Sequence, residues 1–220
     1  MSKKTIVILA AVLAAALALF GQSAEELEKS LKKDPDNKQI LYALGHLYHN
    51  QAGLNGQSGA AEKAEKYLRH LLEVDPGNST GQAYLGSVLT IRAGNLGQNA
   101  DALALLNEGF SIMDKAILLE PENPEARLVR AVNSLQVPEV FGRKSLILED
   151  FKAIETFIAK SSRKLPPDFL LPYHFYYGTT LAAAGKAGEA EAHLKKVIEI
   201  APDSPLAAQA KKQLSEKRRA

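Results

Sequence analysis

Asp34-Pro35-Asp36-Asn37, Asp75-Pro76-Gly77-Asn78 and Glu120-Pro121-Glu122-Asn123 are one four-residue phrase written three times. Looser copies follow at Leu165-Pro166-Pro167-Asp168 and Ala201-Pro202-Asp203-Ser204. The prolines Pro35, Pro76, Pro121, Pro166 and Pro202 are separated by 41, 45, 45 and 36 residues. Each phrase follows an Ala/Leu-rich amphipathic stretch and precedes another. A proline after a helix prevents its continuation, and Asn, Asp or Ser beside it caps the helix that follows. Asn123-Pro124 and Ser204-Pro205 also put a capping residue directly before a proline suited to the first helical position. The phrases therefore read as helix–turn–helix punctuation in an internal repeat.

The last full unit spells out the interior of that repeat. Tyr177-Gly178-x-x-Leu181 is followed by Ala190, Leu194, Val197 and Pro202, at offsets of 12, 16, 19 and 24 from Gly178. This resembles the tetratricopeptide repeat, and the resemblance implies two helices crossing where Gly178 meets Ala190. It also implies a tight turn at Gly185 and Gly188, with Leu181 and Leu194 filling the space beside the crossing. Leu44-Gly45-x-x-Tyr48 opens an earlier unit closed by Ala64, Leu68, Leu71 and Pro76. Leu85-Gly86-x-x-Leu89 opens the next, closed by Gly109, Met113, Ala116 and Pro121. Arg130-Ala131-x-x-Ser134 opens a third, closed by Ile154, Ile158, Ser161 and Pro166. Gly45 to Ala64 is 19 residues, and Gly86 to Gly109 and Ala131 to Ile154 are 23 each. Against the 12 of the last unit, these imply insertions of 7, 11 and 11. The second and third units complete the small–small crossing only in part, which leaves their helix angles open.

The expected fold is all-α: a right-handed α-solenoid of tetratricopeptide-like hairpins. A half unit occupies 24–37, pairs occupy about 38–78, 79–123, 124–168 and 169–204, and a cap occupies 205–217. One hairpin cannot bury its apolar face alone, so neighbours stack into a continuous core. In the cap, Leu206, Ala207, Ala210 and Leu214 face the array while Lys211, Lys212 and Lys217 face water. Hydrophobic residues are 46% of the 220 and aromatics only 6%, with no Trp, which suits Ala/Leu-rich helices.

Residues 1–23 read as a secretory signal peptide. Lys3 and Lys4 precede the uncharged run Thr5 to Phe20, then Gly21-Gln22-Ser23-Ala24, with the cut expected after Ser23. The run has 16 residues, short of the roughly 20 that span a bilayer, so cleavage is favoured over an N-terminal membrane anchor. The expected location is periplasmic or secreted. Loss of Lys3 and Lys4 leaves 25 basic against 25 acidic residues, and so no general attraction to nucleic acid or anionic lipid. Cysteine is absent, which removes disulfides, thiol nucleophiles and lipid attachment at a cysteine.

No nucleophile elbow, HExxH or phosphate loop is present, so no catalytic residue, cofactor or metal is expected. Gly53, Gly56 and Gly59 lack the preceding strand of a nucleotide loop. His46 and His49 share a helix face but lack an obvious third ligand, and read as groove residues. Asn78-Ser79-Thr80 matches a glycosylation sequon that a helix cap explains fully.

The resemblance implies a non-enzymatic scaffold for protein–protein interaction, whose concave groove is lined by the first helix of each pair. The implied groove residues are Gln39, Tyr42, His46, His49 and Asn50, then Thr80, Ala83, Ser87 and Thr90. Glu125, Leu128, Val132 and Leu135 follow, then Phe175, Thr179 and Ala182. Chaperone-binding members clamp a C-terminal carboxylate with Lys, Asn and Arg; Tyr42 and His46 stand where the first two belong, so that clamp is absent. The expected partner is a protein or peptide with an apolar extended or helical segment. Stretches 50–60 and 93–99, rich in Gly, Asn and Gln, are expected to lengthen the turns within pairs. Phe141, in 137–144, is expected to tuck under the array. The rival reading is a small-ligand carrier or transporter accessory protein, with an enclosed apolar cavity between the inserted helices near Met113, Phe141 and Phe157. Self-association through the groove would mimic the first reading.

Overall fold

The computed structural model describes residues 23–55 and 59–217, and every regular element among them is helical. The expected signal peptide, apart from Ser23, lies outside the described residues, as do Gly56 and its neighbours 57 and 58. Two compact units meet at the Pro121–Glu122 bond. The first holds α1 (Ala24–Leu31), α2 (Lys38–Asn55), α3 (Ala60–Val74), α4 (Ser79–Leu96) and α5 (Ala100–Leu119). The second holds α6 (Pro124–Gln136), a 3-10 turn at Glu139–Phe141, α7 (Lys144–Lys160), α8 (Pro167–Ala183), α9 (Ala187–Ile200) and α10 (Pro205–Lys217). Within each unit successive helices pack against one another. First helices of adjacent pairs also touch, α2 on α4 and α6 on α8. This is the all-α packing of the α-solenoid class.

The turn chemistry explains where the helices begin. The Asn37, Asn78 and Asn123 side-chain oxygens accept from the backbone N–H of Ile40, Gly81 and Ala126 at 3.1, 2.8 and 3.1 Å. The hydroxyl of Ser204 accepts from Ala207 N–H at 3.1 Å. The aspartates orient the caps: Asn37 donates to Asp34 at 2.9 Å and Asn78 to Asp75 at 3.3 Å. Each cap satisfies a donor that the first helical turn otherwise leaves unpaired. Asn99 caps α5 in the same way, accepting from Ala102 N–H at 2.8 Å.

The first two insertions lengthen helices rather than turns. α2 runs on to Asn55 and α4 to Leu96, over most of the two stretches expected to be loops. Ala52 and Ala93 are buried there, so the partner helix offers apolar contact that outweighs the poor helix propensity of Gly and Asn. In the last pair, Gly185 adopts φ +76° and Lys186 N–H bonds back to Leu181 C=O at 2.9 Å, which closes α8. Gly188 lies inside α9 and takes no part in that turn.

The second hairpin has the tighter crossing that its sequence left in doubt. A Cβ on Gly86 would stand 2.5 Å from the Gly109 carbonyl oxygen, and a Cβ on Gly109 would stand 2.5 Å from that of Gly86. Backbone touches backbone there. In the first hairpin Gly45 approaches Leu68, at 2.7 Å on the same measure. Gly178 approaches His193 and Leu194, at 3.1 Å each, one turn beyond the Ala190 expected to face it.

Polar anchors hold the ends of each unit. Glu28 of α1 accepts from Tyr48 at 2.7 Å and Tyr67 at 3.0 Å, and the Tyr48 bond leads in keeping its carboxyl below the usual range. In the second unit Asp150 is fully buried and receives Arg127 at 2.7 Å and Arg130 at 2.8 Å. Leu128, Ala131, Phe151, Ile154, Tyr173 and Tyr177 form the core beside that pair. Phe141 is half-buried, whereas its neighbour Val140 is 86% exposed.

Candidate functional site

The side chains expected to line a groove have separate fates. In the first unit most of them converge. Tyr42, His46, His49 and Asn50 occupy one face of α2, each half-buried, with Gln39 exposed at its amino end. Opposite them, α4 contributes Tyr84 and Ser87. Tyr84 is the hub: its ring lies 6.1 Å from Tyr42 and 5.0 Å from both His46 and His49, edge-on in each case. Tyr42 stacks on His46 at 6.0 Å. Such pairs favour defined edge-to-face geometry, so the cluster is stiff.

Hydrogen bonds fix the imidazoles. His49 Nε2 is 2.9 Å from the Ser87 hydroxyl and its Nδ1 is 3.3 Å from the Asn50 side-chain oxygen. Asn50 donates from Nδ2 toward His46 Nε2 at 3.3 Å. Burial pushes His49 down to about 4, with His46 adding like-charge repulsion against the raising effect of Asn50. At neutral pH His49 is an uncharged ring with both nitrogens engaged. Thr80 sits half-buried on α4, one turn before Tyr84. Ser87 is the buried support of His49, and Thr90 is buried at the Gly109 crossing, where its methyl group meets α5. Neither of these two is an open contact surface, since both hold the helix pairs together.

Tyr84 was not among the expected positions, although it lies four residues after Thr80 and three before Ser87, hence on the same stripe. A wider stripe on α4 finds it.

The second unit does not assemble a comparable face. Glu125 is half-buried in the first turn of α6. Leu128 belongs to the core, and Val132 and Leu135 pack against it. Phe175 is 6% exposed and packs with Leu194, Val197, Ala207 and Ala210 beneath α10. Thr179 bonds Gln213 of α10 at 3.2–3.3 Å. The reason is the cap: α10 lies where the first helix of a further pair would pack, and covers both residues. Ala182 stays exposed. Leu128, Phe175 and Thr179 are therefore packing residues.

Met113 is fully buried against Gly86. A cleft of about 540 Å³ in the first unit is lined by Leu72, Pro76, Gln82, Leu85, Ile112, Lys115, Leu118 and Leu119, and so by none of Met113, Phe141 and Phe157. Among the described residues no group of three metal-ligating side chains converges, and no helix is long and apolar enough to cross a membrane.

Comparison with known proteins agrees with this architecture. The tetratricopeptide repeat family profile matches residues 26–63, from α1 through α2 into α3. The fold is similar to that of a thermophilic tetratricopeptide-repeat protein from Thermus thermophilus, with a TM-score of 0.64 at 18% identity, over 92% of this chain and 94% of that one. PilW, a widely conserved type IV pilus biogenesis factor, matches with a TM-score of 0.39 at 17% identity, over 86% of this chain and 90% of that one. YrrB, described as a tetratricopeptide-repeat protein with an unusual peptide-binding site, gives 0.36 at 19% identity, over 86% and 100%. No curated protein matches the sequence.

Proposed function

From a chain whose first repeat and fold are those of the tetratricopeptide-repeat superfamily, we propose an exported, non-enzymatic scaffold that binds a partner protein through the α2–α4 face of its first unit. Proteins of this superfamily generally mediate protein–protein interaction. The observation that carries the reading is the Tyr42–His46–His49–Tyr84 cluster, whose outer members Tyr42 and His46 are half-buried and rigidly held. A stiff aromatic face loses little conformational freedom on binding, which is the feature of an interaction anchor. It offers ring faces, an imidazole and the Asn50 amide. An extended segment with apolar or aromatic side chains and free backbone groups fits that chemistry.

The test uses peptides selected from a random library against the full chain. Binding should shift the Tyr42 and His46 ring resonances and weaken at least tenfold in a Tyr42→Ala, His46→Ala variant. Selected peptides that bind the variant equally well place the interface elsewhere.

Export rests on the charge and apolar pattern of residues 3–23. The capping box at Ser23, which accepts from Glu26 N–H while its own N–H donates to the Glu26 carboxylate, favours a cut on the amino side of Ser23 rather than after it. Mass spectrometry of the chain from the envelope fraction reads the new terminus. An intact Met1 in a cytosolic fraction removes the export reading and leaves the binding face untouched.

A further inference from the structure

Two imidazoles face each other across the last hairpin, outside the binding face. His174 on α8 and His193 on α9 approach to 3.0 Å between their Nδ1 atoms. We propose that His174 and His193 chelate a divalent transition-metal ion, Cu2+ first, through these two nitrogens.

Geometry carries the proposal. A metal–imidazole bond is about 2.0–2.1 Å, and two such bonds to atoms 3.0 Å apart enclose an angle of about 94°. That is the cis angle of a tetragonal site, the arrangement that nitrogen ligands give Cu2+. A tetrahedral ion requires about 3.4 Å between the nitrogens, so Zn2+ fits only after the hairpin widens.

Their surroundings suit a ligand role. Behind His193, Nε2 lies 3.9 Å from Glu155 Oε1, and Tyr177 donates to Glu155 Oε2 at 3.4 Å. A carboxylate on the side of the non-ligating nitrogen, here beyond direct hydrogen-bond reach, favours the proton on Nε2 and a lone pair on Nδ1 of His193. Ring contacts hold both imidazoles: His193 lies edge-on to Tyr177 at 4.5 Å and to Tyr173 at 5.7 Å, and His174 lies 4.9 Å from Tyr173. Burial leads in lowering both histidines, His174 to about 4, so both rings are neutral at physiological pH. Lys196 and Glu199, paired at 2.6 Å, bring opposite charges near His174. In the metal-free chain one Nδ1–H donates to the other Nδ1; on metal binding the donor ring takes its other tautomer, its proton passing through solvent from Nδ1 to Nε2, and both rings ligate as neutral imidazoles. Solvent completes the coordination, because no third histidine or acid joins the pair among the described residues.

The experiment titrates CuCl2 into the tag-free full chain at pH 7.4 with glycine as competitor, read by electron paramagnetic resonance. One equivalent is expected with nitrogen hyperfine structure, at least tenfold weaker in His174→Gln and in His193→Gln, and retained in a His46→Gln, His49→Gln variant. Equal Cu2+ affinity in the parent and a His174→Gln, His193→Gln double variant overturns the assignment. Should a variant fail to fold, substoichiometric Cu2+ on the parent chain decides: resonances of His174 and His193 must broaden first, and broadening confined to other residues refutes the site.

Discussion

Replacing Gly109 with Ala tests the backbone-to-backbone approach of Gly86 and Gly109. The added methyl carbon starts 2.5 Å from the Gly86 carbonyl oxygen, 2.9 Å from Thr90 Cγ2 and 3.3 Å from Leu89 Cβ. Two of these atoms are backbone or fixed at Cβ, so no flexible side chain can swing away. Restoring ordinary contact means moving α4 and α5 apart by about 0.7–0.9 Å, and forcing an extra carbon into a close-packed site costs about 1–3 kcal/mol. Ala is the better helix former by about 1 kcal/mol, which offsets part of that. The upper end of the packing cost applies, and the net expectation is a loss of about 2 kcal/mol. Gly94→Ala in the same hairpin is the control. Nothing lies within 4 Å of its Cβ position, so it should gain about 0.5–1 kcal/mol from reduced chain freedom. Urea unfolding followed by circular dichroism reads both. In a unit of this size each kcal/mol corresponds to about 4–8 °C in Tm. If Gly109→Ala matches Gly94→Ala, or is more stable than the parent chain, α4 and α5 do not cross backbone to backbone.

Asp150→Asn should cost about 3–5 kcal/mol by removing the fully buried charge that both Arg127 and Arg130 bond to, measured as a drop in the urea midpoint. Glu28→Gln should loosen α1 by about 1–2 kcal/mol, seen as faster amide exchange across Ala24–Leu31 with the protection of α4 and α5 unchanged. His49 should titrate near 4 in the folded chain by imidazole NMR, against 6.5 for an ordinary histidine. The unfolded chain then binds more protons between those values, so stability is full above 6.5 and falls as pH drops toward 4, by about 3 kcal/mol at most. A His49→Gln variant that keeps the parent's full slope in that window contradicts a neutral buried ring at that position.

The starts of helices were readable because capping is local chemistry. Asn78, Asn123 and Ser204 bond to residues two or three places away, so four consecutive letters contain the whole interaction. The fate of the insertions was not readable. Gly and Asn in 50–55 and 93–96 lower helix propensity, yet Ala52 and Ala93 find burial against a neighbouring helix that the local sequence does not specify. The candidate face was half legible. Tyr42, His46, His49 and Asn50 follow helical spacing on one strip of α2, whereas Phe175 and Thr179 hold equivalent places on α8 and lose them to the cap. Register along a repeat says which residues share a face; position at the end of the array decides whether that face is covered. The pairing of His174 with His193 joins two helices at residues 19 apart, and depends on a crossing one turn removed from the one the repeat pattern implies.

The Asp-Pro-x-Asn corners carry a consequence for how such a chain can change over time. Asp34 with Asn37, and Asp75 with Asn78, close each corner by bonds among its own four residues plus the helix it starts. A duplication or excision with both breakpoints in such corners transfers a whole hairpin with its junction already satisfied, so the array can grow or shrink by one module without a new joint having to evolve.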